Sequence, residues 1–164
     1  IFLAGTDTPL KKYHGTEAGF KQVVAKLRDA WEKKVPLTFS TDLDYWNERM
    51  KDEKTGEWLS RGDLTIAFIE TWKAAGIPPA DTLRAMTING YKAADMIKER
   101  GPIKPGFFAD MIAVAGDPLT DIDALRQVQF VMKNGMVFKK DGVMMPEKFF
   151  HPGPVRTPAG RWTR

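Results

Sequence analysis

The sequence predicts an α/β fold, helix-rich over residues 1–100 and built of short β-strands from 101 onwards. Three observations carry this. Phe20, Val23, Val24, Leu27 and Trp31 recur at the three- and four-residue spacing of one helix face. That stripe lies between two apolar runs short enough to be strands, Ile1 to Ala4 and Val35 to Thr41. Past Arg100 the helical period stops, and Asn134-Gly135 joins two apolar runs; this pair is the strongest two-residue hairpin signal because both residues tolerate positive φ.

Taken in order, the first run is ended by Gly5 and Pro9. A helix is expected from about Thr16 to Lys34, with Lys21, Lys26, Arg28 and Glu32 off its apolar stripe. Val35 to Thr41 follows as a second strand and stops at Asp42. A strand, a helix and a strand joined by short links pair in parallel with a right-handed crossover, so this stretch reads as a βαβ unit. Leu43 to Leu59 mixes charges with Tyr45, Trp46 and Trp58 and reads as a loop. Ser60 and Asp63 are spaced like a capping box with Asp in place of Glu, ahead of a helix face made by Leu64, Ala67, Phe68, Trp72 and Ala75. Gly76 and Pro78-Pro79 should stop that helix. A further helical stretch from Ala80 to about Met96 carries Leu83, Met86 and Ala93, with a break expected at Asn89-Gly90.

Gly101-Pro102 and Pro105-Gly106 then bracket a tight turn. Asp110 to Ala115 is a strand ended by Gly116-Asp117-Pro118, Val128 to Lys133 and Met136 to Lys140 flank the hairpin, and Asp141-Gly142 offers a second turn of the same type. Pro146 to Arg164, with four prolines, three arginines and Trp162, reads as an extended arm. The organisation is therefore 1–100, 101–145 and 146–164.

A length of 164 residues suits one domain or a piece of a larger one. With 43% hydrophobic and 28% charged residues, the chain is neither disordered nor fibrous in composition. No apolar run approaches the ~20 residues of a membrane-spanning helix, and no signal-peptide pattern opens the chain. The absence of cysteine excludes disulfides, thiolate zinc sites and a cysteine nucleophile. The net charge of +4 is spread among acids rather than gathered in a stripe, which argues against a nucleic-acid partner. The chain opens at Ile1 inside an apolar, strand-like run, as expected of a chain that begins within a fold.

Asp42 is the first candidate for chemistry, because it stands where an apolar strand meets a long polar loop. In parallel α/β folds the active site lies at the carboxyl ends of strands, and a carboxylate there can ligate a cation or take a proton from water. The same oxygen could equally cap a helix or loop, and spacing does not choose between the two. Asp7 holds a similar position after the first strand, and Asp44 lies farther out on the loop. His14 could line a site, although a lone loop histidine is more often solvated; His151, in the proline-rich arm, is weaker still. Arg61-Gly62-Asp63 is explained by helix capping, and Trp31 and Trp72 fall at core spacing, leaving Trp46 and Trp58 free to face a ligand. The chain has no His-x-His, no His-Glu-x-x-His, no nucleophile elbow and no phosphate-binding glycine loop. Alone, it lacks a complete catalytic set.

Four segments resemble the metal-dependent amidohydrolases, in that family's order. Ala75-Gly76-Ile77-Pro78-Pro79-Ala80-Asp81-Thr82-Leu83-Arg84-Ala85-Met86-Thr87-Ile88-Asn89-Gly90 is similar to its "aGl-P-eaL-aaT-naA" segment. Gly101 to Val114 is similar to "GsIkpGk-ADlvv", Gly116-Asp117-Pro118-Leu119 to "dgdPl", and Val128 to Val137 to "V--VmkdGkvv". The resemblance is to the imidazolonepropionase-like branch, which includes Xaa-Pro dipeptidase-like enzymes. It implies a (β/α)₈ TIM-type barrel with a small β-sandwich. Residues 1–100 would be strands seven and eight with their helices, and 101–145 a portion of the sandwich. Ser40-Thr41-Asp42 resembles the "GTD" or "STD" signature ending the eighth strand, whose aspartate in the family binds metal and shuttles a proton. Gly5-Thr6-Asp7 reads "GTD" as well, and position favours Asp42, because the motifs that follow the eighth strand begin after it.

The family's other metal ligands have no counterpart here and would lie upstream of Ile1. The resemblance thus implies the C-terminal part of a hydrolase of amide or cyclic amide C–N bonds. Asp42 would serve as metal ligand and proton shuttle, and Tyr45, Trp46 and His14 as weaker substrate-lining candidates. The implied cofactor is a divalent metal, zinc first, with most ligands supplied from outside this chain. The implied partners are a small-molecule or dipeptide-like substrate and the missing barrel part or a second chain, with self-association compatible and no membrane or nucleic-acid partner. The alternative is a non-catalytic barrel remnant that binds a partner through open strand edges.

Overall fold

The computed structural model describes residues 17–40 and 61–145. The expected first strand, the 43–59 loop, Ser60 and the 146–164 arm lie outside these residues, as does the parallel pairing that the first strand would make.

Helix α1 (Glu17–Glu32) buries Leu27 and Ala30, four and seven residues along from Val23, so the apolar stripe faces inward as its spacing requires. The next two helices, α2 (Arg61–Ala67) and α3 (Ile69–Ala74), replace the single helix expected there. At the join, the amides of Phe68 and Thr71 reach back three residues, to the Thr65 and Phe68 carbonyls, each at 3.2 Å. This tightened turn lets Phe68, Ile69, Thr71 and Trp72 all go inside.

Helix α3 ends as the glycine foretold. Gly76 has φ +71, its amide donates to the Lys73 carbonyl at 2.9 Å, and the Ile77 amide donates to that of Trp72 at 3.1 Å. This is the Schellman pattern, with Ile77 and Trp72 sharing one core cluster. The Arg28 guanidinium donates to the Ala75 and Ala74 carbonyls at 2.9 and 3.2 Å, so a cation on α1 satisfies the negative end of α3.

Helices α4 (Pro79–Met86) and α5 (Ile88–Ala93) follow, with Pro79 at the first position of α4, where its missing N–H costs nothing. The break falls at Thr87 (φ −122, ψ −91) rather than at Asn89-Gly90, and both of those residues lie within α5. The Thr87 hydroxyl donates back to the Leu83 carbonyl at 2.6 Å, a local bond that competes with the helix ladder.

The second part is a four-stranded antiparallel sheet in the order β1 (Met111–Val114), β2 (Val128–Lys133), β3 (Met136–Lys140), β4 (Val143–Met144). Both expected turns are present, with positive φ at Asn134 (52°) and Gly135 (77°) and at Asp141 (50°) and Gly142 (77°). Ile112 faces Val131, and Met132 faces Val137, with irregularities in register at Ala113/Val114 and Val131/Met132. A 3₁₀ turn, Ile122–Arg126, lies between β1 and β2 and was not anticipated. Asp121 caps it by accepting from the Asp123 amide at 3.0 Å.

Two apolar clusters organise the molecule. One joins Leu27, Ala30, Leu37, Trp72, Ala75, Ile77 and Ala85, and the other joins Ile69, Ile122 and Leu125. Phe39 packs against both. The chain is α/β with a small antiparallel sheet; a second sheet layer is not found among the described residues. No helix among them is long and apolar enough to cross a membrane.

Candidate functional site

Residues 35–40 lead directly into the candidate acid at position 42, so their placement is what the described residues contribute to a site. The segment makes no β-ladder among the described residues; helices fix it instead. As α1 ends, the Val35 amide donates to the Ala30 carbonyl at 3.0 Å and Lys34 adopts φ +59, which turns the chain back along the helix. Leu37 is only 5% exposed, among Trp72, Ala75, Ile77 and Ala85. The Phe39 ring lies 5.7 Å from that of Trp72, tilted by 36°.

Two hydrogen bonds then pin the backbone. The Phe39 amide donates to the Ala85 carbonyl at 3.0 Å, and the Asn89 side-chain amide donates to the Leu37 carbonyl at 2.9 Å. Trp31 belongs to the same region, its indole N–H donating to Asp81 Oδ2 at 2.9 Å. Trp31 and Trp72 are thus structural, as their spacing implied.

A second polar constellation joins α5 to the sheet. Asp110 accepts from the Asn134 amide (2.8 Å), the Lys133 ammonium (2.9 Å), the Tyr91 hydroxyl (3.1 Å) and the Arg100 guanidinium. Arg100, 3% exposed, also donates to Asn134 Oδ1 at 2.6 Å and stacks over the Phe108 ring at 4.1 Å. Burial pushes the Asp110 carboxyl upward, but the bonds from Asn134, Lys133 and Arg100 outweigh it and hold the group down at about 2. The same surroundings push the Tyr91 phenol up, through burial first and the Asp110 charge second. Both oxygens of Asp110 accept structural bonds, so this carboxylate is a tie rather than a reagent.

Asp42, Asp7, Asp44, His14, His151, Tyr45, Trp46 and Trp58 all lie outside the described residues. The backbone of Arg61-Gly62-Asp63 forms the first turn of α2, which suits a helix start. Among the described residues no three His, Cys, Asp or Glu side chains gather as a metal site would require. An open groove along α1, lined by Phe20, Val24, Arg28 and Asp29 among others, presents no set of reactive groups.

Sequence reasoning missed Asn89 as a tertiary contact, because Asn-Gly is also a break signal. It missed Arg100 as the partner of Asp110, because Arg100 marked only a change in character of the chain. The available signal was an arginine ten residues before the "AD" pair, with two turns between them that fold the chain back.

Residues 16–138 match the model of the amidohydrolase family. Among solved structures, the chain is similar to a Xaa-Pro dipeptidase with methionine bound in its active site, at 26% identity and a TM-score of 0.59, covering 75% of this chain and 27% of that one. It is also similar in fold to a putative prolidase from Bifidobacterium longum, at 22% identity and a TM-score of 0.53, covering 82% of this chain and 32% of that one. The chain therefore spans about a third or less of the length of these structures. A search of curated proteins finds no match.

Proposed function

The chain belongs to the amidohydrolase family, and we propose that it supplies the C-terminal portion of a TIM-barrel hydrolase that cleaves amide C–N bonds, with Asp42 as its reactive acid. The observation that carries this is the family match on both sides of Ser40-Thr41-Asp42, with the preceding segment held rigidly by Asn89 and Ala85. The resemblance to a Xaa-Pro dipeptidase favours a dipeptide-like substrate over a cyclic amide. Tyr45, Trp46 and His14 are offered as residues lining the substrate, and residues 101–145 as a portion of the small β-sandwich.

A divalent metal, with zinc the proposed ion, polarises the scissile carbonyl when bound. The described residues do not assemble a ligand set for it; Asp42 is the acid we propose from this chain, with most of the remaining ligands supplied by the missing barrel part or a second chain. The work assigned to Asp42 is proton transfer. Its carboxylate holds the attacking water and takes one proton as the oxygen bonds to the carbonyl carbon. It then gives that proton to the nitrogen as the C–N bond breaks.

Asp42→Asn in the intact polypeptide should lower kcat for a Xaa-Pro dipeptide by about 10²–10⁴, the ordinary worth of general acid–base transfer. Activity close to wild type in that variant rejects Asp42. Native mass spectrometry with metal analysis of the intact polypeptide tests the cofactor. Bound zinc is expected, whereas a well-behaved metal-free monomer without hydrolase activity points to a non-catalytic binding module instead.

A further inference from the structure

We infer that Asn89 is a positioning residue, whose side-chain amide sets the place and register of residues 37–39 and, through them, of the acid at position 42. The role of that acid rests on the function proposed above; the clamp itself does not.

The geometry begins at Thr87. In an uninterrupted helix the Ala85 carbonyl would accept from the Asn89 amide four residues on. The break at Thr87 frees that carbonyl, and it accepts from the Phe39 amide at 3.0 Å instead. The same break carries Asn89 to where its side chain donates to the Leu37 carbonyl at 2.9 Å. Two backbone groups two residues apart are thus held by two points four residues apart, on either side of one corner. With Leu37 buried and Phe39 against Trp72, the segment has little freedom left.

Asparagine is a poor choice for helix propensity at a position inside α5. The fold gains from it a donor that leucine, alanine or aspartate would lack. Two positions on, Tyr91 ties the same short helix to Asp110 of the sheet portion. Helix α5 is anchored on both sides, so Asn89 works from a fixed base. Residue 42 follows Phe39 by three residues, at most about 10 Å of chain, so the place of Phe39 bounds where that acid can lie. A misplacement of about 1 Å in a reacting group can cost on the order of a hundredfold in rate.

The test uses Asn89→Asp in the intact polypeptide, a change that keeps the side-chain shape and replaces the donor by an oxygen facing the Leu37 carbonyl. Amide hydrogen exchange at Phe39 should quicken at least about tenfold as the clamp opens. In the same variant kcat for a Xaa-Pro dipeptide should fall by about ten- to a hundredfold, with KM within about twofold of wild type. A purely structural asparagine would lower the melting temperature and leave kcat per folded molecule untouched. Unchanged exchange at Phe39 overturns the clamp, and an unchanged kcat overturns the positioning role. Should Asn89→Asp fail to fold, exchange in the wild type decides. Strong protection at Phe39 is expected, and exchange there at the rate of an unstructured chain overturns the inference. Wild-type protein inactive on dipeptides, or Asp42→Asn with full activity, sinks the proposed function while the exchange result stands on its own.

Discussion

Asp110 shows what one residue does here. Its carboxyl sits at about 2 in the folded chain against an ordinary 3.8, so folding favours the charged form. A depressed carboxylate contributes stability above the unfolded value, and that contribution is lost as pH falls from about 4 towards 2. A shift of this size is worth about 2 kcal/mol. Urea midpoints measured from pH 6 down to pH 2 should therefore fall more steeply for wild type than for Asp110→Asn. At neutral pH the variant itself should be less stable by about 3 kcal/mol, because Arg100 is left buried opposite an uncharged amide. Parallel pH profiles for the two proteins would refute the assignment. That Asp110 begins a strand was legible from its neighbours. Its partners were not, because Arg100, Tyr91 and Asn134 are brought to it only by tertiary folding, over separations of 10 to 24 residues.

Among the elements, the legible features were those whose causes are local. Asn134-Gly135 and Asp141-Gly142 make their turns because of their own φ preferences, and the strand bounds follow from them. The helix ends divide on the same ground. Three helices close with the same pair of backbone bonds, around Lys34 (φ 59), Gly76 (φ 71) and Asp95 (φ 55), but only the glycine announces itself in sequence. This difference is testable. Asp95→Gly should stabilise the chain by about 0.5–1 kcal/mol, since glycine adopts this conformation without steric cost. Gly76→Ala should destabilise it by about 1 kcal/mol or more, because a side chain is strained at φ +71. Thermal melts of both variants check the opposite signs. The break at Thr87 was misplaced to Asn89-Gly90 for the converse reason. The groups that the break leaves available, the Ala85 carbonyl and the Asn89 side-chain amide, are taken by a segment some fifty residues upstream, a partner no local pattern shows.

For the whole molecule, the α/β class and the division near residue 100 were legible, because helical and strand periods occupy different halves of the chain. How the halves are joined was not, since the contacts between them, Ile69 with Ile122 and Leu125 and Tyr91 and Arg100 with Asp110, are tertiary. Phe39 packs against the helical cluster of Leu27, Leu37 and Trp72, and also against the cluster of Ile69, Ile122 and Leu125 on which Val114 of the sheet rests. It is the residue these two clusters share before the chain enters the candidate acid. Phe39→Ala should cost about 3 kcal/mol, the low end for a phenylalanine truncation because the ring is only partly buried. Its second effect is more specific. In wild type, amides around Trp72 and around Leu125 should open with one free energy, as a single cooperative unit; in Phe39→Ala they should separate, the Leu125 side opening first. Leu37→Ala is the control, because Leu37 belongs to the first cluster alone and its loss should leave the two sides opening together. Equal behaviour of the two variants in hydrogen exchange would mean that the clusters are joined elsewhere, and that the segment entering position 42 is a passenger of the core rather than its link.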